Sequence, residues 1–313
     1  MRIHFEHVLC TVCRADDCLP IAVGEDFEYR TSDEEFMAVQ CRRCRMVYLN
    51  PRPDAQGIEH SYPANYHAFQ FNESDFGLVY RVRQRLEARR LLRWCRGLPE
   101  HAKILDIGCG DGFHLELLQR FGKPTWSIEG IDSDPRAAEG AKRRGIQIKQ
   151  GSVEEVGFEQ KSFDLIFMIM TIEHVSDPLA MLQCVSTLLK PGGRLIIVTD
   201  NTDSPDFRIF GNRHWGGYHF PRHLYLFNRQ NLGELCQRAG LATVSVRTAL
   251  SPVNWTYSFR NWIQDWKGPN WIVKRLSLES PIALTIFTLV DLPLSLIGLG
   301  AILHGEFVKE KSE

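Results

Sequence analysis

The sequence predicts an α/β protein: a parallel sheet flanked by helices, with a small cysteine-rich module in front and a helical, apolar stretch behind. Three observations carry this. Residues 103–250 alternate short apolar runs with helical stretches, the pattern of βαβ units. The first run, Lys103 to Ile107, leads directly into Gly108, Gly110 and Gly112, a sharp strand-to-helix turn that only bare backbone makes easily. Two C-x-x-C pairs fall within residues 1–60, which is metal-knuckle spacing. Composition agrees with a globular protein: 313 residues, 44% hydrophobic and 24% charged, enough to bury a core without disulfides. The 37 Lys and Arg against 38 Asp and Glu give net −1, which argues against a protein that coats nucleic acid. Nine cysteines and a start, Met1 to His7, without an apolar run predict a reducing, cytoplasmic compartment.

Taken in order, four zones separate by composition: 1–60, 61–100, 101–250 and 251–313. In the first, Cys10 and Cys13 stand 27 residues (14–40) ahead of Cys41 and Cys44. Each pair presents two thiolates from one turn, and the two turns complete a closed tetrahedral site, so a structural zinc is expected. A hairpin between Ile21 and Val39 fills the gap, and Cys18 is left out. Arg14, Arg42, Arg43 and Arg45 around the knuckles read as a solvated basic surface rather than a nucleic-acid contact. The second zone is a linker followed by an Arg-rich helix over 76–97, with Arg81, Arg83, Arg85, Arg89, Arg90, Arg93 and Arg96.

The third zone holds the ligand site. After the strand ending near Asp106 comes the G-x-G-x-G turn, Gly108-Cys109-Gly110-Asp111-Gly112, and then a helix from Phe113. This is not the dinucleotide spacing G-x-G-x-x-G. A second strand, Ser127 to Asp132, ends in a carboxylate 22 residues after Gly110, placed to accept hydrogen bonds from ribose hydroxyls.

These motifs resemble the class I S-adenosylmethionine (SAM)-dependent methyltransferases, over roughly residues 100–250. The resemblance implies a Rossmann-like, seven-stranded, mostly parallel sheet with SAM over the carboxyl ends of its strands. It assigns Asp106, Gly108, Cys109, Gly110 and Gly112 to the cofactor loop and Asp132, with Ser133 beside it, to the ribose. At the adenine position, where the family has an acid, this chain has Ser152-Val153; either Ser152 accepts that hydrogen bond or Glu154 substitutes. Phe163 to Met170, followed by Thr171-Ile172-Glu173-His174, and Leu189 to Val198 match the fourth and fifth strands. Leu241 to Ala249 is the sixth, and Gly305 to Lys309 is left for a short seventh.

Methyl transfer to a hydroxyl needs a base near the methyl. Two places offer one: Glu173-His174, after the fourth strand, and the segment His214 to His223, with three His in ten residues. His223, His174 and His219 are the candidate bases, with Glu173 beside them. The knuckles and the Pro-Arg-His-Leu element are similar to a bacterial group related to ubiquinone-biosynthesis O-methyltransferases. The cysteine module also resembles that of deoxysugar C-methyltransferases, whose lid has His-Glu-His where this chain has Arg222. A guanidinium there implies grip on an anionic group, with Tyr218 and Trp215 as further substrate contacts, and favours O-methylation of a sugar or glycolipid-like acceptor.

In the last zone, Trp255, Phe259, Trp262, Ile263 and Trp266 fall on one helical face. Pro281 to Leu303 is apolar except for Asp291, which with Pro293 divides it into two halves. A helical hairpin dipping into one leaflet or a buried helix pair is expected, with peripheral membrane contact through 255–303 at the inner face of the cell membrane. The Arg-rich helix is a second candidate for anionic headgroups. The expected acceptor is a small or lipid-linked molecule, and the oligomeric state is left open. Two other readings are an RNA methyltransferase gripping nucleic acid through the zinc module and a non-catalytic adaptor with a vestigial SAM fold.

Overall fold

Alternating apolar and polar positions form the short strands of the N-terminal region, and glycine and proline end them. The computed structural model describes residues 3–64, 66 and 73–310. The N-terminal region holds β1 (Phe5–Glu6), β2 (Cys18–Gly24), β3 (Phe36–Cys41), β4 (Val47–Leu49), β5 (Arg52–Pro53) and α1 (Ala55–His60). Asp54 caps α1 by accepting from Gly57 N–H at 2.8 Å. The Arg-rich stretch is α2 (Glu73–Trp94), broken at Gly77.

The α/β region runs β6 (Lys103–Ile107), α3 (Phe113–Phe121), β7 (Ser127–Asp132), α4 (Pro135–Arg143), β8 (Lys149–Gln150), β9 (Phe163–Ile169), α5 (Pro178–Leu188) and β10 (Leu189–Asp200). After it come α6 (Pro205–Phe210), β11 (Tyr225–Leu226), α7 (Arg229–Arg238) and β12 (Leu241–Ala249), then α8 (Pro252–Asp265), α9 (Asn270–Arg275), α10 (Pro281–Leu296) and β13 (Ile302–Lys309). The seven-stranded sheet has the order β12-β13-β10-β9-β6-β7-β8. Only β13 runs antiparallel to its neighbours β10 and β12. The central strands are buried on both faces, as the continuous apolar runs Ile104-Leu105 and Leu165 to Met168 require.

Two expectations change at the C-terminal end. The seventh strand is not short: it begins at Ile302 and is inserted between β10 and β12, so residues 251–313 are not an appendage. The run from Pro281 does not split at Asp291 and Pro293 but continues as one helix through both. Asp291 faces inward, accepting from Ser251 N–H at 2.8 Å and Trp255 Nε1–H at 3.1 Å. No helix among the described residues is long and apolar enough to cross a membrane.

The Arg-rich helix is also partly committed. Arg90 is paired with Glu87 and lies over the Trp94 ring, and Arg81 is paired with Glu73.

The cysteine module is stitched into the rest of the fold. Its sheet, β11-β4-β3-β2, takes its last strand from residues 225–226, and one apolar core runs from Phe36 and Tyr48 to Phe227 and Leu303. The thiols of Cys10, Cys13, Cys41 and Cys44 all lie within 4.8 Å of one another. Cys10 approaches Cys44, and Cys13 approaches Cys41, each at 3.4 Å, close to the ~3.8 Å sulfur separation of a tetrahedral site with 2.3 Å bonds. Cys18, opposite Cys41 on β2, stays outside the set. Elemental analysis of the purified chain is expected to find about one zinc per chain. Cys41→Ser should lose it and lower the Tm, whereas a metal-free chain with unchanged Tm would contradict a structural site.

Candidate active site

At the end of β6 the backbone turns through Gly108, Gly110 and Gly112 at φ of 70°, 53° and 78°. A Cβ on Gly108 would lie 2.5 Å from the Thr171 side chain, so a larger residue would push β6 and β9 apart. The amides of Gly108 and Cys109 donate to Ile131 O at 2.8 and 3.2 Å, which holds the loop on the end of β7.

There Asp132 accepts from Gly110 N–H at 2.9 Å and from Asp134 N–H at 3.0 Å, one on each oxygen. Each oxygen keeps a lone pair for a diol. Burial pushes the Asp132 carboxyl up, and these backbone hydrogen bonds pull it down only in part. Asp106 is 1% exposed, and its Oδ2 meets no hydrogen-bond donor among the described residues. A buried carboxylate oxygen in that state is matched by a cationic or N–H group of a ligand.

The other predicted cofactor residues divide. Ser133 is exposed beside Asp132, and Ser152 is half-buried just past β8, whose end is tied to Asp132 O by Gly151 N–H at 3.0 Å. Glu154 is exposed. Cys109 contributes backbone, because its thiol packs with Leu115 and Ile146. The Val153 side chain lies in the main core, so this residue too would offer only backbone.

The two places that offer candidate bases come together in the fold. A 3-10 turn, Ile172–His174, follows β9. The segment between α6 and β11 folds onto it, with Leu224 N–H donating to Glu173 O at 2.8 Å. The His174 and His223 rings meet edge to face at 4.5 Å, and His219 lies 4.7 Å from His223. His223 Nδ1 is 2.8 Å from Gly217 O and 3.2 Å from Asp200 Oδ2. Both are acceptors, so Nδ1 carries the proton and Nε2 keeps its lone pair. His174 Nδ1 is 2.9 Å from the Tyr62 hydroxyl and 3.1 Å from Arg222 O. His219 Nδ1 is 2.7 Å from Glu28 Oε2.

Burial holds His174 well below the ordinary imidazole value, and the neighbouring histidines add to this. Burial also lowers His223, against the opposing pull of Asp200. Both are therefore neutral, proton-accepting imidazoles at pH 7. Glu173, fully buried and close to Asp200, is pushed up to about 8 and accepts from the Thr199 hydroxyl at 2.9 Å. It is a neutral acid here rather than a base. Glu173, His174 and His223 also bring three ligand-type atoms within 4.8 Å of one another.

The three predicted substrate contacts line one cleft while being bonded within the protein. The Arg222 guanidinium is 1% exposed and grips both oxygens of Asp26 at 2.8 and 3.0 Å, with a third hydrogen bond to Ser61 O. Trp215 is buried, with Nε1–H donating to Asp206 at 2.7 Å, and the buried Tyr218 hydroxyl donates to Gly211 O. His214 ties the same segment to α8 through Asp265, at 2.8 Å. Sequence reasoning missed Tyr62, Asp200, Asp26 and Glu28. Only Asp200, at the carboxyl end of a strand in the ligand half of the sheet, carried a signal in its position.

With this geometry in place, comparison with known proteins is decisive. The sequence profile of the family described as "Methyltransferase domain" matches residues 79–246. The chain belongs to that family, and it is a SAM-dependent methyltransferase. A ubiquinone biosynthesis O-methyltransferase of Cereibacter sphaeroides is 30% identical over 176 residues, 50% of this chain and 67% of the relative. One from Xanthomonas axonopodis is 35% identical over 118 residues, 36% of this chain and 48% of its own. Among solved structures, a SAM-dependent methyltransferase from Thermotoga maritima superposes with TM-score 0.51 at 22% identity, covering 78% of this chain and 98% of that one. A geranyl diphosphate C-methyltransferase from Streptomyces coelicolor gives 0.50 at 14%, covering 79% and 85%. Both share the fold.

The residues present fit SAM. Asp106 Oδ2, which accepts no hydrogen bond among the described residues and has His114 Nδ1 at 3.7 Å, would meet the ligand's ammonium, the glycine turn would give it bare backbone, and Asp132 would take the ribose hydroxyls.

The Arg222–Asp26 pair joins the cysteine module to the histidine cluster, and its removal has a measurable cost. Burial alone would raise the Asp26 carboxyl, but hydrogen bonds and charge from Arg222 hold it below the ordinary range. Asp26→Asn removes the two-oxygen partner of a buried guanidinium, leaving Glu28 Oε2 at 3.6 Å as its counter-charge, and should cost about 3 kcal/mol. A depressed carboxyl stabilises above its unfolded value, about 3.9, and loses that contribution as pH falls through the folded value. The stability gap between wild type and Asp26→Asn, from denaturant unfolding, should be widest near pH 7 and narrow below about pH 4. A gap independent of pH would contradict this account.

Proposed function

We propose that this enzyme O-methylates a hydroxyl of a polar, sugar-like acceptor, free or lipid-linked, with His223 as the general base. The observation that carries the reading is the double acceptor environment of His223 Nδ1, Gly217 O and Asp200, which leaves Nε2 as the basic nitrogen. SAM, when bound, supplies a methyl group on a positively charged sulfur. The chain's own residues hold the acceptor and take its proton. As the oxygen–methyl bond forms, the hydroxyl proton passes to His223 Nε2, and Asp200 stabilises the imidazolium. Burial of the cluster keeps water, the competing nucleophile, away.

The polarity of the acceptor is supported by a cleft beside His219, lined also by Glu25, Glu28, Arg213, Tyr218, Arg222 and Arg260. Carboxylates and guanidinium groups in a small cleft suit a hydroxyl-rich molecule better than a flat apolar ring. In this reading the four cysteines hold a structural zinc that sets the position of β4 and, through it, β11. The RNA alternative gains no observation: net charge is −1, and Arg42 of the second knuckle pairs with Asp17.

The test is incubation with labelled SAM and separate pools of sugar nucleotides, glycolipids, phenolic quinone precursors and RNA. Label is expected in sugar-containing acceptors. Label confined to phenols or to RNA would refute the proposal. His223→Ala should lower turnover by about 10²–10⁴-fold while S-adenosylhomocysteine affinity, from calorimetry, stays within about twofold. Equal loss of both would make His223 structural.

A further inference from the structure

We infer that the outer face of α10, together with the α8–α9 corner, docks on an anionic bilayer surface. This holds whichever acceptor is methylated, since it rests on residues outside the histidine cluster and the cofactor loop.

The helix has two apolar faces and only one is covered. Ala283, Phe287 and Asp291, spaced by four, are buried toward α8, with Phe287 stacked on Phe259 at 5.2 Å. On the opposite side Ile282, Ile286, Leu289, Leu296 and Ile297 are 53–79% exposed. Residues 266–297 hold nine of the 20 large apolar side chains exposed among the described residues, in about a tenth of the chain. Scattered exposed leucines need no explanation, but a continuous face of this kind does.

What surrounds the face specifies the occupant. Trp266 and Trp271 are 70% and 63% exposed at the adjoining corner, and the Arg275 guanidinium lies 5.6 Å from the Trp271 ring. The exposed charges between 266 and 297 are Lys267, Lys274 and Arg275 against Glu279 alone. Apolar side chains fringed by tryptophan and by cations match the layers of a lipid leaflet: acyl chains, then the interface, then anionic headgroups. A spanning orientation is excluded by length and charge. The helix has 16 residues, ~24 Å against a hydrocarbon core of ~30 Å, and Asp291 is bonded to α8 from its inner face. The helix therefore lies along the surface with its outer face immersed.

Flotation of the full chain with vesicles of phosphatidylethanolamine and phosphatidylglycerol tests this, with phosphatidylcholine vesicles as the neutral comparison. Wild type should float with the anionic vesicles. The triple variant Ile286→Glu, Leu289→Glu, Leu296→Glu should bind at least about tenfold more weakly, with S-adenosylhomocysteine binding and Tm retained because all three side chains are exposed. The double variant Lys274→Glu, Arg275→Glu, which leaves the apolar face intact, should lose at least about fivefold, and the difference should vanish at high salt. Wild type remaining with the aqueous phase, or both variants floating like wild type, would overturn the inference. A dimer seen by light scattering, dissolved by the triple variant and indifferent to vesicles, would assign the face to a second copy and overturn it equally.

Discussion

The buried ion pair between Arg222 and Asp26 is the constraint on which the rest of the site depends. Two charges that are 1% and 0% exposed are tolerable only when fully engaged, and here they are. Asp26 also accepts from Tyr29 N–H and from Thr31, and Arg222 also donates to Ser61 O. The pair fixes the backbone of residues 219–224. Through it Arg222 O meets His174, Leu224 N–H meets Glu173 O, and Tyr225 pairs with Tyr48 across β11 and β4. The cysteine module is thus a wall of the histidine cluster rather than a separate domain. That explains why a four-cysteine site far from any cofactor has a place in a methyltransferase.

Burial also sets the protonation of the cluster. Two imidazoles and two carboxylates packed together could not all be charged without large desolvation cost. Instead both imidazoles are held neutral and Glu173 is held protonated up to about 8. Asp200 is placed as the orienting carboxylate: its Oδ1 accepts from Asn254 Nδ2–H at 2.7 Å, and its Oδ2 lies 3.2 Å from His223 Nδ1. Neutral imidazole with a fixed tautomer is the state that can accept a hydroxyl proton. Removing the cluster from water therefore makes it basic chemistry rather than cationic chemistry.

The parts of the site legible in the sequence were those carried by local backbone demands. The glycine turn, Asp132 at the end of β7, and the paired cysteines each report a conformation or a ligand set within a few residues, and the structure brings Gly110 to Asp132 and the four cysteines to one another. Even the three histidines were visible as an excess over packing needs. What was not legible depends on contacts across long stretches of chain. Tyr62 reaches His174 across 112 residues, and Arg222 reaches Asp26 across 196; neither spacing leaves a pattern. Arg222 shows the limit: a guanidinium in a lid signals an anion, but not that the protein's own Asp26 is one. The seventh strand was shortened because Ala301-Ile302-Leu303 continues the apolar run of α10, and periodicity does not separate a buried strand from the end of a helix.

The insertion between β12 and β13 extends this logic to the molecular surface. Helix α8 is bonded to the catalytic cluster at one side, through Asn254 to Asp200 and through Ser258 Oγ, which accepts from Gly216 N–H at 2.8 Å. At its other side Trp255 donates to Asp291 of α10. Helix α10 is thus joined through α8 to Asp200, the neighbour of His223, by two buried hydrogen bonds. Asp291, which on sequence looked like a break in an apolar span, is the residue that makes this connection. An aspartate in the middle of an apolar helix is costly unless its oxygens are engaged, and they are engaged by Ser251 and Trp255 of the element that also positions the base. The outward face could thus remain wholly apolar while the inward face carries the polar link, which is why a single helix serves both the surface and the site.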